Sequence, residues 1–217
     1  MKIVSMSDMH GQLPARVPAC DLLLLGGDMT PIEDHSIGFQ ASWLDREFRA
    51  WLLAQPARKI VGIAGNHDFI FEQAPGLVPR DLPWTYLQDS GIEWEGLKIW
   101  GTPWQPIFFD WAFNGDPERL RRQWSLIPDD TDILLVHGPP LGFGDGVPER
   151  GWVRRCGCPH LLERIQQIGP KLVVFGHIHE GRGEWTLGPS RLANVTILDA
   201  GYRAVYEPWV CELEVEP

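Results

Sequence analysis

The chain has 217 residues, 44 % of them hydrophobic, and a formal net charge of -10. That length supports a single domain with a full core, expected over residues 1–217, and the acidic balance argues against tight binding of long nucleic acid, which depends on Lys and Arg neutralising phosphates. No apolar stretch approaches the ~18 to 20 residues of a bilayer span, and Lys2-Ile3-Val4-Ser5-Met6 does not read as a signal peptide, so the chain is expected to be soluble and cytoplasmic, without a membrane partner.

In chain order, Ile3-Val4 forms a first strand before Asp8-Met9-His10, and the apolar run 22–25 a second before Gly26-Gly27-Asp28. Residues 37–54 carry Leu44, Phe48, Trp51 and Leu52 on one helical face, with Pro56 as the stop. The run 59–64 is a third strand, presenting Gly65-Asn66-His67-Asp68 at its end. Residues 69–85 have no clear period and read as a long loop. Ile92-Glu93-Trp94 and Leu97-Lys98-Ile99-Trp100 flank Glu95-Gly96, the pattern of a two-residue hairpin. Antiparallel strands in a crossover-rich chain point to mixed sheets or two sheets packed face to face.

The stretch 101–115 holds Trp104, Phe108, Phe109, Trp111 and Phe113. Two readings are open: a satellite hydrophobic cluster, or a base-stacking surface for which Trp104 is the candidate. Asp116-Pro117 caps a short helix through Trp124. The strand 133–136 delivers His137, and the Gly-rich loop after it ends at Arg150, Arg154 and Arg155, which read as surface residues or as a clamp closing over phosphate. A helix over 159–168 ends at Gly169-Pro170, and the strand 172–175 delivers Gly176-His177-Ile178-His179. Residues 191–198 and 209–215 read as closing strands, with Glu212, Glu214 and Glu216 blunting an edge. The four cysteines, with Cys156-Gly157-Cys158 the only close pair, are expected as reduced thiols; a thiolate metal site or a redox pair is the alternative.

Five of the seven histidines therefore lie at strand ends, together with Asp8, Asp28 and Asn66. Carboxylate, imidazole and amide oxygen without sulfur suit manganese, iron or zinc better than copper(I) or an iron–sulfur cluster. Two divalent cations among these carboxylates would leave a locally positive charge that draws a phosphate.

Asp8-x-His10, Gly27-Asp28, Gly65-Asn66-His67-Asp68, His137 and Gly176-His177-x-His179, in this order, resemble the motif set of the calcineurin-like metallophosphoesterases. Thr102-Pro103-Trp104-Gln105-Pro106, His137-Gly138-Pro139-Pro140-Leu141-Gly142-Phe143 and His179-Glu180-Gly181 are similar to the metallophosphoesterase-domain-containing group within them. The resemblance implies an α/β fold in which two mixed β-sheets pack as a sandwich flanked by helices. It implies one metal on Asp8, His10 and His179, another on Asn66, His137 and His177, and Asp28 bridging. Two such cations hold an attacking hydroxide and a phosphoryl oxygen for in-line displacement. His67, beside a ligand, would act on the substrate as an imidazolium, with Asp68 accepting from its other nitrogen. The activity implied is hydrolysis of a small phosphoester, foremost a cyclic or linear nucleotide diester. A phosphomonoesterase acting on phosphoproteins, and a non-catalytic binding module on the same scaffold, are the alternatives.

Overall fold

Buried on both faces, the apolar strands divide their side chains between two cores, so they read as continuous runs. Ile3, Leu22, Leu24, Val61, Ile133, Leu135, Leu172 and Val174 pack together in a cluster that contains no helical residue. Their neighbours Val4, Leu23, Leu25, Leu134, Val136, Val173 and Phe175 turn the other way and pack with helical Leu44, Phe48, Leu120, Trp124, Leu161 and Ile165. The first cluster is the interior of a sandwich and the second its helical cover. The computed structural model describes residues 1–214.

One sheet runs in the order Trp209–Glu212, Lys2–Met6, Cys20–Leu25, Ala57–Gly62, Thr85–Tyr86, parallel except for its first edge. The other runs Gly183–Leu187, Ser190–Asn194, Leu172–Phe175, Ile133–Val136, Leu97–Thr102, Ser90–Trp94, parallel inside with an antiparallel hairpin at each edge. Both sheets are mixed, as expected. The hairpin at Glu95-Gly96 takes φ of 50° and 78°, the two left-handed residues that a primed turn requires. Two short ribbons stand apart from the sheets: Gly146–Glu149 with Trp152–Arg155, and Gln105–Pro106 with Asn114–Gly115.

The helix expected over 37–54 starts at Ile37 and runs to Leu53, with a wider π turn at Leu44–Phe48. That turn keeps Trp43, Leu44 and Phe48 all buried, and the Phe48 ring stacks between Trp43 and Trp51. Asp116 caps Pro117–Ser125 by accepting from the Arg119 N–H, and Gly169 ends Pro159–Ile168 in the left-handed conformation.

Three expectations change. Residues 69–85 hold a short helix at Phe69–Gln73 and a 3₁₀ turn at Pro75–Leu77, because Ile70 and Phe71 are buried over a span too short to show a period. Gly183–Leu187 is a strand that composition did not reveal, paired to Ser190–Asn194. The last strand stops at Glu212, Glu214 lies beyond it, and Val215 and Glu216 are outside the described residues. Among the described residues no helix is long and apolar enough to cross a membrane.

Candidate metal centre

Each of the five strands hands over to its polar residues within a few positions of its C-terminal end, and these ends lie side by side, so Asp8, His10, Asp28, Asn66, His137, His177 and His179 converge. Oδ2 of Asp28 lies 3.6 Å from Nε2 of His10 and 3.4 Å from Nε2 of His137. Oδ1 of Asp8 lies 3.7 Å from Nε2 of His179. Oδ1 of Asn66 is 2.8 Å from Nε2 of His137 and 2.6 Å from Nδ1 of His177. Asp8, His10 and His179 can offer atoms to one ion, and so can Asp8, Asp28 and His137, and His10, Asp28 and His67.

The backbone is bent to present them. Asp8, His10, Asp28 and His177 have φ of 54°, 43°, 54° and 68°, left-handed values that cost about 1–3 kcal/mol at a residue with a side chain and concentrate at functional sites. The bends are held from within: the Ser7 hydroxyl and the His177 N–H donate to the Asp8 carboxylate, and the His67 N–H donates to Asp28 at 2.7 Å. Gly65 and Gly176 leave room for this. A Cβ on Gly65 would collide with the Asp28 carboxylate and the His137 ring, and one on Gly176 with Ser7 and Asp8.

The donor set fits a cation. Nδ1 of His137 donates to the Gly26 carbonyl at 2.8 Å, and Nδ1 of His179 to the Asp199 carbonyl at 3.0 Å, which fixes each neutral ring with its Nε2 lone pair toward the cluster. Nε2 of the neutral His137 ring thus faces the Asn66 oxygen lone pair to lone pair, while Nδ1 of His177 can donate to that same oxygen. Asn66 Nδ2 is buried without a partner, so turning the amide over would only move the deficit to its oxygen. Such crowding of buried acceptors is resolved by a proton or a metal ion between them.

Where the cluster carries protons instead, its charges split. Burial opposes charge on His137, but the Asp28 and Asp8 carboxylates overcome it and raise its pKa to about 9. His179 behaves likewise against Asp8, also about 9. Burial prevails at His10 and His177 and lowers them to about 4 and about 3. Burial raises Asp8, but His179 outweighs it and holds the carboxyl at about 2. Asp28 is held well below the usual range, its burial outweighed by His137 and His67.

Asp68 departs from expectation. Its carboxylate is fully buried and accepts from the N–H groups of Met29, Thr30 and Gly65 and from the Thr30 hydroxyl, so it ties the turn to the neighbouring loop and makes no bond to the His67 ring. Gln40 completes the clamp, donating to the His67 carbonyl at 2.7 Å and accepting from the Ile70 N–H at 2.9 Å. Nδ1 of His67 instead meets Nε2 of His35 at 3.1 Å.

A cavity of about 430 Å³ opens beside the cluster, lined by His67, Phe108, Trp111, Arg154, Arg155 and Tyr202 among others. Trp104 is not in that wall. It is buried, donates to Asp89 and carries the Arg119 guanidinium 3.9 Å over its ring, so the first reading of the aromatic stretch holds for it. The aromatic facing the site is Trp111, 4.4 Å from the His67 ring. Tyr202, 5.0 Å from His10 and 4.9 Å from His179, was missed, although the run 195–198 broken by Asp199-Ala200-Gly201 repeats the pattern of the other strand ends. Cys156 also lines the cavity, while Cys158 is buried beneath Trp124; all four thiols are free.

A sandwich of mixed sheets gathering carboxylates and imidazoles at its strand ends, with an open cavity alongside, defines a metal-dependent hydrolase. A model of the calcineurin-like phosphoesterase family matches residues 1–181. Metallophosphoesterase domain-containing protein 1 of Homo sapiens is 35 % identical, over 98 % of this chain and 71 % of its own length. A UPF0046 protein of Caenorhabditis elegans is 31 % identical, over 100 % of this chain and 82 % of its own. Among solved structures, a protein of Thermus thermophilus shares the fold at a TM-score of 0.56 and 16 % identity, covering 89 % of this chain and 88 % of its own. The chain belongs to the calcineurin-like phosphoesterase family, whose members are metal-dependent phosphoesterases.

Proposed function

We propose that this chain is a dinuclear phosphodiesterase for small nucleotide esters, with Asp8, His10 and His179 on one divalent cation, Asn66, His137 and His177 on the other, and Asp28 between them. Manganese is the first candidate metal, with iron and zinc as alternatives. The observation that carries the assignment is the meeting of ring nitrogens of His137 and His177 at the Asn66 oxygen, at 2.8 and 2.6 Å, beside the Asp28 carboxylate. When bound, the two cations supply Lewis-acid stabilisation of a phosphoryl oxygen and an activated water for in-line displacement.

The chain's own groups do the rest. His67, whose N–H is fixed on Asp28, presents its ring to the cavity. Burial lowers the His67 pKa against the pull of Asp28, which makes its imidazolium a stronger acid than a free one. As the bond from phosphorus to the leaving oxygen breaks, the Nε2 proton of that imidazolium passes to the oxygen and the imidazole is left neutral. A diester is favoured over a monoester because only one of the cavity's two arginines is left to meet an anion. Arg155 pairs with buried Asp145 at 2.7 Å, and Arg154 faces Glu149 at 3.7 Å. A monoester dianion would need more positive charge than these leave, whereas a diester carries a single charge. Trp111 and Phe108 give the cavity an aromatic wall suited to a base.

The test is hydrolysis of a nitrophenyl phosphodiester and the matching monoester by stripped protein titrated with manganese, beside Asp28→Asn. The expected result is metal-dependent turnover, faster on the diester and lost in the variant. Equal or faster monoester turnover overturns the diester assignment. No turnover of either ester with two metals bound overturns the enzyme.

A further inference from the structure

We infer that His35 is the positioning residue of His67, its Nε2 taking the Nδ1 contact expected of a carboxylate. The inference rests on the role given to His67 above. The contact is 3.1 Å long and spans 32 positions of sequence. Each ring is braced on its far side. His35 packs on Phe69 with centroids 5.1 Å apart, and the turn carrying it is fixed by Asp34 accepting from the Ser36 N–H at 2.8 Å. His67 is held between Trp111 at 4.4 Å and His10 at 4.8 Å, the latter edge-on.

Those packings set where the His67 ring lies but not its rotation about its own axis. A directional hydrogen bond at Nδ1 does set it, and leaves Nε2 as the nitrogen turned toward the cavity. Among the described residues no carboxylate is hydrogen-bonded to Nδ1; the nearest in sequence, Asp68, spends its oxygens on Met29, Thr30 and Gly65. With Nδ1–H donating and Nε2 of His35 accepting, the partner is neutral: it orients the ring without adding a negative charge to a cavity that must admit an anion.

A group that only orients a proton donor affects substrates in proportion to how much they need the proton. The measurement compares kcat and KM of wild type, His67→Ala, His35→Ala and His35→Gln on two phosphodiesters sharing the same non-leaving alkoxy group, one releasing nitrophenolate and the other an alkoxide, with bound metal determined for each. Glutamine can place its Oε1 near the position of the imidazole Nε2 and accept the same hydrogen bond. The expected outcome is that His35→Ala loses about tenfold more kcat on the alkoxide ester than on the nitrophenyl ester, with KM and metal content unchanged, and that His35→Gln recovers most of the difference. A uniform loss on both esters, or a glutamine variant no better than alanine, overturns the inference and makes His35 a packing residue. If His67→Ala shows no leaving-group dependence, the role of His67 fails and the inference falls with it. A leaving-group effect in His67→Ala without one in His35→Ala overturns the inference alone.

Discussion

At the scale of single residues, the four proposed ligand histidines titrate in opposite directions, and this gives the metal-stripped protein a defined pH optimum. His10 and His177, with pKa lowered to about 4 and about 3, refuse protons that unfolded imidazoles accept near 6.5, so stability falls as pH drops below that value. His137 and His179, raised to about 9, keep protons that the unfolded chain releases, so stability also falls as pH climbs from 6.5 through 9. Thermal unfolding of stripped protein between pH 4 and 9 should peak near neutrality, and a plateau continuing to pH 9 would contradict the assignment. The same two residues must give up their protons to ligate. At pH 7.5, manganese binding should release about two protons per chain, read from the dependence of the calorimetric heat on buffer ionisation enthalpy.

At the scale of elements, the turn after the third strand is held by side chains that sequence reading credited with other work or passed over. Gln40 lies on the covering helix, fully buried, and among the described residues its side-chain hydrogen bonds join that helix to the turn carrying Asn66 and His67 and to the hydroxyl of Thr30. Gln40→Leu leaves the Ile70 N–H buried without an acceptor and should cost about 1–3 kcal/mol, measured as a lower denaturant midpoint with unchanged slope. The strand ends were legible because an apolar run broken by Asp, Asn or His leaves those residues few places to go except a shared site. The hairpin at Glu95-Gly96 and the caps at Asp116 and Gly169 were legible because local backbone chemistry decides them. The His35–His67 contact was not, since it joins a loop to a turn 32 positions away and neither residue lies in a periodic segment. Trp104 and Trp111 could not be told apart for a related reason: six residues separate them in one aperiodic stretch, and only packing decides which faces the cavity.

At the scale of the whole molecule, each proposed cation draws on both sheets. Asp8 and His10 follow a strand of one sheet and His179 a strand of the other; Asn66 stands across from His137 and His177 in the same way. Binding therefore ties the sandwich together across the end of its interior core. An ion bound a hundredfold above its Kd adds about 2.7 kcal/mol, which for a chain of this size is about 5–10 °C in Tm for each cation. Chelation followed by addition of manganese should move the midpoint down and then back up, with the slow step at neither stage requiring refolding. A midpoint indifferent to metal would separate the sheets' stability from the site.

The two ribbons at residues 105–115 and 146–155 have a consequence of another kind. They lie outside both sheets and supply Phe108, Trp111, Val147, Arg154 and Arg155 to the cavity wall, while every proposed ligand sits at a sheet's strand end. On the function proposed above, replacing the ribbons should change which ester is preferred and leave metal binding intact, read from relative kcat/KM on several diesters with bound metal determined for each variant.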